Sequence, residues 1–392
     1  QGMVKQFHDK LTRGMLKNGY TLEYAERVFK QLEGFGSYGF PESHAVSFAL
    51  LVYVSSWLKF HYPDVFAAGL LNSQPMGFYA PAQIVKDAQK HGVNVKPVDI
   101  NHSEWDHTLE EKEGEYCVLR LGFRQVKGLR EEEMLTLTAK RKKPFITINE
   151  LLDAGISIAS LERLADADAF RSIGLDRRRA LWEISSLADH PTGIFQGQPS
   201  ESSIEHQVSL PEMTAGEHVV QDYSSISLSL KAHPVSFVRA ELKSRKIVSA
   251  ADLIELPDGA PVMIAGLVLV RQRPGTASGI CFITIEDETG SANLVVFQQL
   301  FEHYRKEILQ SKLLGVAGKV QREGDVIHVV VQQCFNLSAF LRKLIPSGKE
   351  DPQVLALCRA DEKDGKLHDA DNRNSVTKKI IQGTLFPSRD FK

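Results

Sequence analysis

Two periods run along this chain, one after the other. Over residues 3–34 apolar and charged positions recur at helical spacing, and Gly19-Tyr20-Thr21 divides the run into two predicted helices. Gly34-Phe35-Gly36-Ser37-Tyr38-Gly39-Phe40 reads as a glycine-rich loop. Pro41, with Glu42 and Ser43 behind it, predicts the start of a long helix that carries Val46, Leu50, Tyr53, Trp57 and His61 on one stripe. Pro63 ends that helix and opens another to about Leu71. A further helix covers Pro81 to His91, with Gly92 as its stop, and Val93–Pro97 and Trp105–Leu109 read as short extended segments.

Residues 117–182 form a second unit. A strand-like run from Val118 to Phe123 leads to Val126-Lys127-Gly128-Leu129, a helix from Glu131 to Lys140, and a second helical pair from Pro144 to about Ala169. Residues 190–258 are less regular, and Gly, Pro and Ser around 193–203 suggest an exposed connector. From Pro261 the period changes to two. Strands are predicted over Val262–Arg271, Ile280–Ile285, Ala292–Phe297, Leu313–Val320 and Val326–Gln332, with a helix from Leu300 to Leu309 between the third and fourth. Three strands, a helix and two strands in about 75 residues is the layout of an OB barrel. The last 45 or so residues are polar, and disorder is expected there. The predicted class is multidomain α+β, divided at 1–112, 113–190, 191–258, 259–340 and 341–392.

Composition narrows this picture. A chain of 392 residues is too long for one compact domain and suggests two to four; 43% hydrophobic and 24% charged residues are those of soluble globular protein. The formal net charge of −2 supplies no global basic field, so any affinity for nucleic acid must come from local patches. One such patch is the 117–182 unit, with 13 Lys and Arg against 9 Asp and Glu. Cys117, Cys281, Cys334 and Cys358 are scattered, which argues against a structural zinc or a disulfide scaffold and fits a reducing cytoplasm. No signal peptide opens the chain, and Ala45–Leu58 is too short and mixed to span a bilayer, so a cytoplasmic protein without membrane contact is expected. Gln1-Gly2-Met3 runs directly into a helical pattern, as expected of a chain that begins within a domain.

Several constellations could carry chemistry. A glycine-rich loop feeding a helix N-terminus suits an anion, because free N–H groups and the helix dipole point at it. Ser43 and His44 can donate there, and Tyr38 and Phe40 offer flat faces to a base or sugar. The competing reading has Ser43 and His44 capping the helix while the aromatics pack. Basic clusters at Lys140-Arg141-Lys142-Lys143 and Arg177–Arg179 suit phosphates, although a charge run is as often a solvated face. In the barrel, Arg271, Arg273, Lys319 and Arg322 with Phe282, Phe297 and His328 could present a charged, stacking surface to a single strand. The two phenylalanines could equally fill the barrel, and an OB fold can bind protein. The acidic turn Glu286-Asp287-Glu288 would repel phosphate and directs binding to the opposite side. Asp166 and Asp168 imitate a metal-binding pair but stand two apart on a helix, where they share no face, and Asp369 and Asp371 lie in the tail. No catalytic or metal-ligating residue is assigned.

Specific segments add a resemblance. Tyr38-Gly39-Phe40-Pro41-Glu42-Ser43-His44-Ala45, followed by Trp57-Leu58-Lys59 and Tyr62-Pro63, resembles the fingers domain of bacterial polymerase III alpha subunits. Leu70 to Tyr79, Pro97 to Ser103, Val270 to Thr276 and Ser388-Arg389-Asp390-Phe391 resemble the error-prone branch of these C-family DNA polymerases in particular. Val126-Lys127-Gly128-Leu129 is similar to the hairpin of a helix-hairpin-helix, whose N–H groups contact DNA phosphates without reading bases. Arg130 stands where that pattern has its later glycine.

The resemblance covers nearly the whole chain and implies the C-terminal part of an error-prone, DNA-directed DNA polymerase used in damage-induced translesion synthesis. It makes 1–112 a partial fingers domain and 113–190 a tandem helix-hairpin-helix. It places Tyr38, Gly39, Phe40, Ser43 and His44 near the incoming nucleotide, and Lys127 and Gly128 on DNA. Arg130 could replace the missing glycine with a charge, and the basic cluster Lys140-Arg141-Lys142-Lys143 is the local-charge candidate that would add to that surface. The palm that carries the metal-binding aspartates precedes the fingers in this family and has no counterpart here. The chain alone is therefore expected to be inactive and to bind no cofactor, while the complete enzyme uses Mg²⁺. Implied partners are primer-template DNA, deoxynucleoside triphosphates and translesion accessory proteins. Gln382-Gly383-Thr384-Leu385-Phe386 resembles the QxxLF peptide that docks in the bacterial sliding clamp, through Gln382, Leu385 and Phe386. The alternative is a non-catalytic DNA- or protein-binding adaptor built from the same modules.

Overall fold

A computed structural model describes residues 7–38, 42–75, 80–188, 210–274, 279–324 and 326–345. The chain divides into two compact units, Gln1–Gly69 and Leu70–Lys392.

In the first unit, α1 (His8–Lys17) and α2 (Leu22–Tyr38) form the expected pair, with Gly19 at φ +84° in the turn between them. Ala25 and Phe29 are buried, and the His8 ring meets Phe29 edge-on at 4.4 Å. Helix α2 continues through Gly34, Gly36 and Tyr38, where a glycine-rich loop was expected. A glycine costs a helix only about 1 kcal/mol, so two of them weaken the last turns without stopping a helix that is already propagating. Gly39, Phe40 and Pro41 lie outside the described residues. Helix α3 (Glu42–His61) starts as predicted, with Ser43 and His44 in its first turn, but its apolar residues are not confined to a stripe. Leu50, Leu51, Val52, Tyr53 and Val54 are consecutive and all exposed, and five residues at 100° apiece encircle the axis. Tyr53 and Phe60 are 70% and 75% exposed. Helix α4 (Pro63–Asn72) follows.

The second unit takes in the end of α4 and continues with α5 (Pro81–Lys90) and a small sheet of β1 (Val95–Lys96), β2 (Thr108–Glu113) and β3 (Tyr116–Arg120) in the order β1-β3-β2. β1 runs parallel to β3 and β2 antiparallel to it, so the boundary expected at 112/113 passes through a hydrogen-bonded sheet. Behind β3 come α6 (Glu131–Lys140), α7 (Ile148–Asp153), α8 (Ile158–Asp166) and α9 (Arg177–Ala188). Ser157 and Thr147 cap two of these helices through side-chain oxygens that accept from Ser160 N and Glu150 N.

Within the stretch taken as a connector, residues 210–258 are folded. Helix α10 (Ala215–Ile226) opens with a Thr214/Glu217 capping box, and a 3₁₀ turn over Pro234–Val238 and α11 (Arg239–Ser244) follow. In α10 Val219, Val220, Tyr223 and Ile226 keep a helical spacing behind that capping box, a signal present in the sequence, and Val219, Val220, Val235, Val238 and Leu242 are all buried. The segment 189–209, with its Gly, Pro and Ser, lies outside the described residues.

Strands β4 (Pro261–Gln272), β5 (Cys281–Glu286), β6 (Ser291–Val296), β7 (Leu313–Glu323) and β8 (Val326–Asn336) close a barrel in the order β4-β5-β6-β8-β7. The single predicted helix between β6 and β7 is two, α12 (Gln298–His303) and α13 (Arg305–Gln310). Phe301 and Ile308 from these helices join Ile264, Val268, Ile283, Ile285, Leu294 and Val329 inside the barrel. The barrel bends where chains approach closely: a Cβ on Gly318 would lie 2.3 Å from Val330 O, so no larger residue fits there. A second core covers the outside of β4 and β7, where Ala265, Leu267 and Leu313 pack against α10, α11 and the turn Ser338–Leu344.

Candidate nucleic-acid interface

The two cores leave the barrel with one open side. In β5 and β6 burial alternates strictly, so Phe282, Thr284, Asn293 and Val295 face outward while Cys281, Ile283, Leu294 and Val296 face in. Register carries this face across the neighbouring strands. Phe282 lies opposite Val295, Val295 opposite Val330, and Val330 opposite Lys319. In the next row Thr284 lies opposite Asn293, Asn293 opposite His328, and His328 opposite Gln321. Thr284 Oγ1 is 2.9 Å from Asn293 Oδ1. The result is a surface with an aromatic ring at one edge, a lysine at the other and amide, hydroxyl and imidazole groups between. Phe282 is 38% exposed and Phe297, just beyond β6, is 51% exposed, so neither ring fills the barrel. Thr284, Asn293, Val295 and Val330 were not among the sequence candidates; the alternation of β5 and β6 was the signal that could have found them.

The arginines proposed for this surface are placed otherwise. Arg271 is 7% exposed and donates to Ile308 O at 2.7 Å and Ser311 O at 2.6 Å, closing the end of α13. Arg322 donates to Ile254 O at 2.6 Å and Leu256 O at 3.2 Å. Arg273 lies over the Phe301 ring at 4.7 Å, 3.5 Å from Glu302. Of the four cations, only Lys319 stands on the open face.

The acidic turn is not a bare repulsive patch. Glu286 meets Lys86 at 2.7 Å and His233 at 3.8 Å, and Arg239 grips Asp287 at 2.8 Å and also Glu288. Burial works against ionisation of Glu286, but the neighbouring His233 and the hydrogen bond and charge of Lys86 outweigh it and hold the carboxyl below its ordinary value.

The hairpin unit has two tight turns of the same kind. Gly128 has φ +78° and Gly155 φ +88°, conformations that favour glycine. A Cβ on Gly128 would also lie 2.9 Å from Arg163 Nε. At the first turn, Lys127 N donates to Ser225 O at 2.9 Å, and Lys127 Nζ donates to Tyr223 O at 3.2 Å and to Ser224 O. Arg130 is exposed at the N-cap of α6, whose first turn is Glu131-Glu132-Glu133. At the second turn, Lys140 Nζ donates to Ala154 O at 2.8 Å, and no acidic residue stands in the first turn of α8.

Arg141 is held inside, donating to Ile100 O at 3.1 Å, Ser103 O at 2.7 Å and Glu104. Lys142 and Lys143 are exposed beside it. Arg177 is 1% exposed, whereas Arg178 pairs with Glu217 at 3.0 Å and Arg179 with Asp176 at 3.6 Å.

Asp166 and Asp168 are spent on protein contacts. Asp166 Oδ1 accepts from Gln221 at 2.9 Å, and Asp168 pairs with Arg171 at 2.8 Å and Lys231 at 3.1 Å. Among the described residues no three His, Cys, Asp or Glu are grouped to hold a metal ion, and no helix is long and apolar enough to cross a membrane. The backbone of Tyr38, Ser43 and His44 is helical, but their side chains, with Gly39 and Phe40, lie outside the described residues, as do Gln382, Leu385 and Phe386.

Comparison with known proteins agrees with this architecture. A helix-hairpin-helix motif model matches residues 92–180, so that unit includes the small sheet. A model of the OB-fold nucleic acid binding domain matches residues 262–337. The chain is 49% identical over 365 residues to error-prone DNA polymerase 1 of Rhizobium meliloti (strain 1021), covering 87% of this chain and 33% of that protein. It is 50% identical over 368 residues to error-prone DNA polymerase 2 of Agrobacterium fabrum (strain C58 / ATCC 33970), covering 89% and 34%. Against the error-prone DNA polymerase of Brucella melitensis biotype 1 (strain ATCC 23456 / CCUG 17765 / NCTC 10094 / 16M) the identity is 45% over 359 residues, covering 91% and 33%. The chain thus spans about a third of the length of the curated relatives it matches.

Proposed function

We propose that this chain, which is related to the bacterial error-prone DNA polymerases along nearly nine-tenths of its length, is the C-terminal DNA-handling portion of such an enzyme, used in translesion synthesis. One observation carries this reading: a helix-hairpin-helix unit and an OB barrel with an open, partly aromatic face lie in one compact unit. The hairpins suit the backbone of a duplex, which they would grip without reading sequence. The barrel face suits an unpaired strand, with Phe282 as a stacking platform and Lys319 as a phosphate partner. Tyr38, Gly39, Phe40, Ser43 and His44 would lie near the incoming deoxynucleoside triphosphate.

The described residues do not fit Mg²⁺, because Asp166 and Asp168 are engaged by Arg171, Lys231 and Gln221. Phosphoryl transfer would belong to the remaining two-thirds of the relatives' length, and the same portion would cover the apolar surface of α3. Leu385 and Phe386, with Gln382, would tether the enzyme to a sliding clamp, and translesion accessory proteins would work beside it in the cytoplasm.

The test is primer extension with Mg²⁺, primer-template and nucleotides. A full-length relative should extend the primer and this chain alone should not, while still retarding primer-template in a gel. Template-dependent extension by this chain, or no retention of DNA at all, would overturn the reading.

A further inference from the structure

Helix α10 touches both DNA-handling modules, with different faces. Val219 and Val220 are fully buried in the core that covers the back of the barrel, beside Ala265, Leu267 and Leu313. A Cβ on Gly216 would lie 2.6 Å from Leu344 O, so the helix is seated closely against the segment that follows the barrel. The polar face of the same helix holds the hairpin unit. Arg177 Nη2 donates to Asp222 Oδ1 at 2.6 Å, with side chains 1% and 5% exposed. Asp222 also accepts from Lys231 Nζ at 3.0 Å and Ser229 Oγ at 2.8 Å, and Arg177 Nε donates to Asp166 O at 2.9 Å. At its C-terminal end, Ile226 O accepts from Gln125 at 2.6 Å, next to the carbonyls that hold Lys127.

A buried ion pair whose remaining donors and acceptors are also satisfied contributes little net stability, but it tolerates only one geometry. Directional contacts on one side of α10 and close apolar packing on the other leave the hairpins and the barrel little freedom to turn. A further tie at a distance, Lys86 to Glu286 at 2.7 Å, opposes rotation about the helix.

We propose that α10 is a splint, and that Arg177 and Asp222 are positioning residues that hold the hairpin unit and the open face of the barrel in one fixed orientation. The consequence rests on the DNA reading given above. Two weak sites held at a fixed spacing bind one ligand with an effective concentration far above that of two freely rotating sites. A duplex with a single-stranded extension would therefore be bound much more tightly than a duplex or a strand separately.

The test uses the full chain with site-specific labels at Glu162 on α8 and Gln332 on β8, both exposed. Wild type should give one narrow distance distribution between the labels, and a broad distribution overturns the splint. Asp222→Ala should broaden it and lower affinity for the junction at least tenfold, with duplex and single-strand affinities each within twofold of wild type. Should that variant fail to fold, the paired replacement of Arg177→Met with Asp222→Leu, which keeps apolar volume but none of the directional contacts, should likewise broaden the distribution and lose the junction preference. A folded paired variant that keeps the narrow distribution and the junction preference overturns the proposal. An Asp222→Ala protein that folds and retains both overturns the proposal. If wild type binds neither duplex nor strand, the DNA reading fails, and the distance distributions still decide whether α10 fixes the modules.

Discussion

The ammonium of Lys127 rests on the C-terminal carbonyls of α10, donating to Tyr223 O at 3.2 Å and to Ser224 O. The lysine that the hairpin pattern assigns to phosphate is thus already used at the negative end of a helix dipole. Lys127→Ala should lower stability by about 1 kcal/mol and leave the salt dependence of duplex binding unchanged. Denaturant midpoints and affinities over a range of salt measure both. A salt slope that falls by about one would return Lys127 to the phosphate contacts.

The basic run behind α6 divides in the same way. Lys142 and Lys143 are exposed, whereas Arg141 braces Ile100, Ser103 and Glu104. Replacing Lys142 and Lys143 together by Gln should reduce the slope of log affinity against log salt by about two, with stability unchanged. Arg141→Gln should leave the slope and cost roughly 2–4 kcal/mol of stability, because three acceptors lose a charged donor. An unaltered slope in the double variant would make the two lysines solvated surface.

His107 supplies a pH signature. It is 3% exposed, accepts from Gly122 N at 3.2 Å through Nδ1, and its Nε2 has no hydrogen-bond partner. Burial, and then the nearby charge of Arg124, lower its pKa to about 4. Because the folded value lies below the unfolded value near 6.5, the unfolded chain takes up the proton first as pH falls. The contribution of His107 is complete above about pH 6.5 and is lost as pH drops through about 4, amounting to roughly 3 kcal/mol. Denaturant midpoints between pH 7 and 4 should fall accordingly, and His107→Asn should flatten that dependence.

These cases show what the sequence makes legible. The barrel could be read because a period of two survives wherever one face of a strand is buried and the other is open. Helix α6 was bounded correctly, from Glu131 to Lys140, because its ends are local signals. The fate of each cation was not legible, because it depends on contacts far along the chain. Arg271 is the clearest example. Val268 pairs with Ile285 and Val270 with Thr284, so one residue, Leu269, bulges between them. The bulge reverses the parity of β4 and turns Arg271, opposite Ile283, to the inside. The motif Pro97-Val98-Asp99-Ile100-Asn101-His102-Ser103 is a bracket of the same sort: Asn101 exchanges hydrogen bonds with the backbone of Phe145 at 2.8 and 3.0 Å, and Ser103 donates to Leu121 O at 2.7 Å.

That parity yields the prediction that separates binding from folding in the barrel. Phe282 and Lys319 stand on the open face, and Arg271 closes the end of α13 from within. On the proposed function, Phe282→Ala would remove the stacking platform and should weaken single-strand binding by about 1–3 kcal/mol, roughly 5- to 150-fold, with little change in salt slope. Lys319→Gln should reduce the salt slope by about one and the affinity moderately, since it would remove a single proposed phosphate partner. Arg271→Met should instead lower the denaturant midpoint by an amount corresponding to about 2–4 kcal/mol, because the carbonyls of Ile308 and Ser311 lose their buried donor. Its affinity for a single strand should stay within twofold of wild type at temperatures where it is folded. Fluorescence titration with a labelled oligonucleotide, paired with urea unfolding, measures the three variants side by side. Loss of binding in Arg271→Met without loss of stability, or an unchanged affinity in Phe282→Ala, would place the strand on another side of the barrel.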